Sequence, residues 1–222
     1  MKDEYRFIPG IDRYCDRWCE RCPFASRCLA YYLEQSPGSQ SAPDNQDVFH
    51  VAFWLGTDRA LSEAMQFIGE QPSGAEGAGL HFSGHRSARE HPCSKAALEY
   101  AGMIDAWKDS RKGWPVLPED AGTIIAHYCY FLYPKLVRAM EVAMVSGDSS
   151  GSQSVDEDAE GTAKTVLIAI DRSLAAWGMA YRKYPEHEDE VLAMLLHLDR
   201  LRKSVEAVFP AARGFRRLGL DD

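Results

Sequence analysis

The sequence predicts an all-α fold, an antiparallel bundle of about five long helices preceded by a cysteine-rich helical hairpin at the N-terminus. Three observations carry this. Apolar residues recur at three and four through five long stretches, the period of a helix with one buried face. No stretch alternates apolar and polar residues between turns, so no sheet is expected. Four of the six cysteines crowd into the run from Cys15 to Cys28 with the spacing C-x3-C-x2-C-x5-C.

The 222 residues, 45% hydrophobic and 26% charged, suffice to bury one large core without disulfide help. They divide into residues 1–35, the cysteine-rich metal- or cluster-binding hairpin, and residues 46–217, the bundle. A net charge of -8 repels phosphate backbones, so nucleic acid is not an expected partner. Arg213, Arg216 and Arg217, the one local basic group, read as a solvated tail. The charged opening Met1 to Arg6 is not followed by an apolar run, and no stretch approaches the ~18 apolar residues of a membrane span. A cytoplasmic protein with no membrane partner is expected. In that reducing setting clustered cysteines read as metal ligands before disulfides.

Taken in order, Asp12 can cap a first helix carrying Tyr14, Trp18 and the first cysteines. Pro23 should break it and begin a second, running through Leu29, Tyr32 and Leu33. Ser36 to Asn45, with Pro37, Gly38 and Pro43, reads as a linker. Trp54, Leu61, Ala64, Met65 and Ile68 predict a helix over 47–69. Gln71 to Glu90, rich in glycine, reads as a long mobile loop.

Cys93, Ala96, Ala97, Tyr100, Ile104 and Trp107 then form a stripe predicting a helix over 92–110. Ile124, Ile125, Tyr128, Leu132, Leu136, Ala139 and Ala143 predict another over 118–145, with Pro134 removing one backbone donor inside it. Ser146 to Glu160, rich in Ser, Gly and Asp, reads as a disordered or solvated connection. Two helices close the chain, over 162–183 on Ala163, Leu167, Ile170, Leu174, Trp177 and Tyr181, and over 186–208 on Val191, Leu195, Leu198, Leu201 and Val205. The last has its acidic residues in the first turns and Arg200, Arg202 and Lys203 toward its end, the order a helix dipole favours.

On a continuous first helix Cys15, Cys19 and Cys22 fall at i, i+4 and i+7, which stacks three thiols on one face, and the chain reversal at Pro23 returns Cys28. Arg13, Arg17, Arg21 and Arg27 should lower the thiol pKa values. Cys15, Cys19, Cys22 and Cys28 are thus the candidate ligands of one centre. A four-iron iron-sulfur cluster ranks first, because all four ligands sit in one compact loop rather than in two separated knuckles. A single Zn2+ is the alternative, and disulfides or buried thiols come third.

The segment Cys19-x2-Cys22-Pro23-x4-Cys28 resembles the tail of the iron-sulfur loop of endonuclease III and adenine glycosylases. The likeness spans about ten residues and ends at the first gap, which is longer in the glycosylases. No helix-hairpin-helix glycine turn with a catalytic Asp accompanies it, so the resemblance implies cluster binding and not DNA repair. C-x3-C-x2-C is also the spacing of radical S-adenosylmethionine enzymes, but their barrel strands and glycine-rich motifs have no counterpart here.

Cys93 and Cys129 read as small core residues, and His81, His85 and His91 as incidental. No helical segment carries the Glu-x-x-His pair of a di-iron bundle. His127, Glu141, Asp171 and His197 are isolated titratable residues, of which Asp171 beside Arg172 is the first to mutate. No residue names a catalytic role. Two functions remain: a cluster protein for electron transfer, sensing or a cluster-dependent step, which implies a redox or protein partner, or a non-enzymatic interaction module with a structural four-cysteine zinc site. No feature sets an oligomeric state.

Overall fold

The computed structural model describes residues 7–35, 88–110, 117, 119–148 and 153–221. Its regular elements are a short helix α1 (Leu29–Glu34) and four long ones, α2 (Pro92–Ser110), α3 (Glu119–Asp148), α4 (Gln153–Lys183) and α5 (Glu188–Val208). There is no strand among the described residues, and none of the described helices is long and apolar enough to cross a membrane. The helix predicted over 47–69, the linker and most of the glycine-rich stretch, with His81 and His85, lie outside the described residues.

The long helices pack as the stripes require. α3 and α4 lie along each other most extensively, α5 packs on α4 and α2, and α2 on α3. The chain passes from α4 to α5 through one 3-10 turn (Pro185–His187), a connection that makes these two antiparallel neighbours. Tyr100 and Ile104 of α2, Ile125, Tyr128, Leu132 and Leu136 of α3, Leu167, Ile170 and Trp177 of α4, and Leu198 and Leu201 of α5 are all fully enclosed. Each such side chain contributes about 1.5–3 kcal/mol by leaving water. The polar ends of the buried aromatics are satisfied: the Trp177 indole donates to the Tyr100 hydroxyl at 2.9 Å. α3 runs on through Pro134.

Five sequence expectations fail here. The predicted first helix is absent: residues 9–14 form turns, and Cys19–Arg21 and Ala25–Arg27 are single 3-10 turns. Asp16 is the cause. Its carboxylate accepts the Trp18 amide at 3.2 Å, two residues on, and Arg17 between them takes a φ of 57°, so a local side-chain bond replaces the helical one. The second helix is short, beginning at Leu29 instead of Pro23.

The connection read as solvated is largely helical, since α3 continues to Asp148 and α4 begins at Gln153 rather than Thr162. Ala159 is buried, Thr162 donates back to the Asp158 carbonyl at 2.8 Å, and Asp158 accepts the Tyr14 hydroxyl at 3.0 Å and Arg138 at 3.1 Å. The end of the glycine-rich stretch is ordered as well, with Ala88 to Glu90 helical and Ala88 buried.

The arginines read as a solvated tail are engaged. A 3-10 turn (Ala212–Gly214) brings the chain back along α4, where Arg213 grips Asp171 and Glu206, and Arg217 chelates Asp221. Lys164 of α4 donates to the carbonyls of Arg213 at 2.9 Å and Phe215 at 3.0 Å, pinning the segment in place.

Candidate metal centre

The cysteine module, residues 7–35, has little regular structure of its own and is positioned by the bundle. Tyr14 is held at both ends: its hydroxyl reaches Asp158, and its carbonyl accepts Thr165 at 2.7 Å and Arg217 at 3.4 Å. Its ring meets Phe215 edge-on at 5.1 Å. Both rings rest on Gly161 of α4, where a Cβ would stand 2.7 Å from Tyr14 and 2.8 Å from Phe215. A glycine is required there by this close approach and not by its own backbone angles.

A second anchor is Asp16. Its carboxylate accepts the Tyr128 hydroxyl at 2.7 Å and the Arg172 guanidinium, which also donates to Tyr128, while its carbonyl accepts His127 Nε2 at 2.9 Å. Burial alone would raise the Asp16 pKa, but the bonds from Tyr128, the Trp18 amide and Arg172 outweigh it and hold the carboxyl below its ordinary value. Next along the chain, Trp18 stacks on His127 at 4.4 Å with the planes 17° apart, and Arg21 lies 4.5 Å from the Trp18 ring centre.

Between these anchors all four N-terminal cysteines line one small cavity of about 20 Å³, with Ile11, Tyr31 and Leu220 also in its wall. Local turns do this in place of the predicted helical face: Cys22 donates its amide to the Cys19 carbonyl at 3.2 Å, and Cys28 to that of Ala25 at 3.2 Å, so each 3-10 turn ends on a cysteine. All six cysteines of the chain are free thiols, with Cys15, Cys19, Cys22 and Cys28 half-buried and Cys93 and Cys129 in the core. The core assignment of the last two is as the sequence predicts.

The thiol electrostatics run against the arginine expectation. The Cys19 pKa is pushed up to about 11, first by burial and then by its neighbours Cys15, Glu34, Glu20 and Cys28. The Cys15 thiol is also pushed up, again by burial first; the Arg17 amide, Lys135 and the Arg17 guanidinium pull it down without prevailing. Desolvation defeats the basic residues because their charged ends turn elsewhere: Arg17 pairs with Glu34 at 3.0 Å and Arg21 with Asp120 at 3.4 Å, both at the surface. The uncharged Cys15 thiol donates to the Asp12 carbonyl at 3.4 Å.

Chemically this is a four-sulfur donor set around one space, which suits a thiophilic metal. Among the described residues no three His, Cys, Asp or Glu side chains stand close enough together to hold a single metal ion.

The other sequence candidates lie elsewhere. His91 accepts the Cys93 amide at 3.2 Å at the start of α2, and burial lowers its pKa. His197 donates to the Ala96 carbonyl at 2.7 Å. Glu141 is on α3, within the bundle. Asp171 faces away from the cysteines, toward Arg213 and Arg202, and it is the adjacent Arg172 that reaches them through Asp16. Of that pair it is Arg172, and not Asp171, that touches the cysteine module. Sequence reasoning missed Asp16, Tyr128, Thr165 and Leu220; only Asp16, an acid set inside the cysteine run, carried a local signal.

No protein-family model, curated protein or solved structure matches this chain.

Proposed function

We propose that Cys15, Cys19, Cys22 and Cys28 hold one metal centre, a four-iron iron-sulfur cluster, at the surface of the bundle, and that the protein serves in electron transfer, sensing or a cluster-dependent step with a redox or protein partner. The observation that carries this is the single small cavity lined by all four free thiols. The residues fit the group by chemistry, because four thiolates are the ligands such a cluster takes. All four ligands sit in one compact loop of the sequence rather than in two separated knuckles, which favours it over one zinc ion. When bound, such a group supplies one-electron chemistry.

The chain's own part is to shield one side of the thiols with Ile11, Tyr31 and Leu220, and to keep cations nearby. Lys135 is one of these, half-buried close to Cys15, with its ammonium 5.6 Å from the Phe131 ring. The second reading, a structural four-cysteine Zn2+ site in an interaction module, draws support from the small size of the cavity, about 20 Å³.

Anaerobic purification followed by iron, sulfide and zinc analysis of the six single Cys→Ala variants tests both. The expected result is a broad visible absorbance bleached by dithionite, lost in the variants of Cys15, Cys19, Cys22 and Cys28 and kept in those of Cys93 and Cys129. The four deficient variants should lose the module and retain the helicity of the bundle, since metal binding is coupled to local folding. A colourless protein with one zinc per chain transfers the assignment to the second reading. Equal loss in all six, or full metal in the Cys19 variant, refutes the ligand set.

A further inference from the structure

A second cavity, of about 460 Å³, opens beside the thiols where the module meets α3 and α4. Its volume lies in the range of small-molecule sites, roughly 300–1,000 Å³. Cys15 and Cys22 form part of its wall, Pro23, Phe24 and Ile124 give it an apolar side, and Arg21 and Arg172 give it a cationic one. We propose that this cavity is a binding site for a small aromatic carboxylate, which lays its ring against Phe24 and Ile124 and its carboxylate on Arg172.

The charge of the occupant follows from which donors are already used. Asp16, the acidic residue in the wall, is saturated by the Trp18 amide, Tyr128 and Arg172. Arg172 gives Nη1 to both Asp16 and Tyr128 and makes no bond from Nε or Nη2 among the described residues. Those two N–H groups form one edge of the guanidinium, the edge that pairs with a carboxylate through two parallel bonds. Asp16 and Tyr128 hold the group from its other side, so little conformational freedom is lost on binding. Arg21 adds a second cation, tied at 3.4 Å to an Asp120 that is itself largely exposed. Arg217, also in the wall, is occupied by Asp221 and contributes only its field. The apolar side selects an organic anion over inorganic phosphate.

Binding of a carboxylate needs no metal. That its occupant lies against two metal-ligating sulfurs rests on the centre proposed above, and would let a substrate or regulator alter that centre.

Fluorine NMR of para-fluorobenzoate with the full-length, metal-loaded protein tests the site, with metal content measured on the same samples. Para-fluorobenzoate should broaden and shift on binding, and its neutral isostere para-fluorobenzamide should bind about tenfold more weakly or not at all. Arg172→Gln should weaken binding about tenfold, and Arg21→Gln about threefold. Arg21 is exposed and its ion pair with Asp120 of α3 lies at the surface, so its variant disturbs the docking less and remains informative where Arg172→Gln loosens it. Arg200→Gln, exposed on α5, should change nothing. Equal binding of acid and amide, unchanged affinity in both arginine variants, or no binding of para-fluorobenzoate to metal-loaded protein would each overturn the proposal. Normal binding by a protein whose analysis finds no metal upholds the carboxylate site, and it is the metal analysis that then counts against the centre.

Discussion

In the bundle, Trp177, Tyr100, Tyr128, Leu132, Leu167 and Leu198 are fully enclosed in one continuous core, while in the cysteine module Ile11 is the one buried hydrophobic residue. The module is instead fixed by directional contacts: Tyr14 on Asp158 and Thr165, Asp16 on Tyr128, Arg172 and His127, Trp18 stacked on His127. Apolar burial tolerates local imprecision because it scales with area, whereas a hydrogen-bonded dock depends on each partner's position. Dependence between the two regions should therefore run one way. Damage to the bundle removes the surface on which the module sits; damage to the module leaves the bundle's core intact.

The largest expected effect breaks the bundle side. Trp177→Ala removes a fully buried side chain and the partner of the Tyr100 hydroxyl, and should destabilise the protein by about 3–5 kcal/mol in urea unfolding followed by circular dichroism. Module and bundle should then unfold together. A loss under about 1 kcal/mol would mean that α2 and α4 are not packed through this residue.

The same contrast explains what could be read from the chain. α2 spans Pro92–Ser110 as its stripe predicts, because its apolar period is local information. The module was illegible since its structure is decided by partners more than a hundred residues away: Tyr14 meets Thr165, and Asp16 meets Tyr128 and Arg172. The polar start of α4 was misread for the same reason, with Asp158 spent on Tyr14 and Arg138 rather than on water. The four cysteines were legible as a group because their spacing is local, but the helical face proposed for them yields to one carboxylate–amide bond at Asp16.

Helical glycines sharpen the comparison, since helix propensity favours Ala at each by about 1 kcal/mol. At Gly178, with nothing within 4 Å of an added Cβ, Gly→Ala should stabilise the bundle by roughly that amount. At Gly161 the new methyl meets Tyr14 and Phe215 and should cost the docking about 1–3 kcal/mol. Limited proteolysis should then release the module in Gly161→Ala while the circular dichroism stays helical. Equal behaviour of the two variants would mean that Tyr14 and Phe215 do not pack on α4.

The smallest effect concerns acid and the segment that lines the cysteine cavity through Leu220. Arg217 bonds the Asp221 side chain at 2.7 Å and also reaches the Tyr14 carbonyl, while Leu220 lines the cavity itself. The bond from the Arg217 side chain is the main cause that lowers the Asp221 pKa to about 2, against an opposing effect of burial. An unfolded Asp titrates near 3.9, so the folded pKa is depressed and the contribution is complete above pH ~4. It is lost as pH falls through about 2. A partly exposed pair is worth about 1 kcal/mol or less, too little to unfold the bundle but enough to loosen one short segment. Methyl NMR signals of Leu220 should therefore move toward unfolded positions between pH ~4 and 2 in the wild type. In Asp221→Asn they should start partly displaced and lose that pH dependence. The same acid transition in both proteins would show that another carboxylate holds the segment over the thiols.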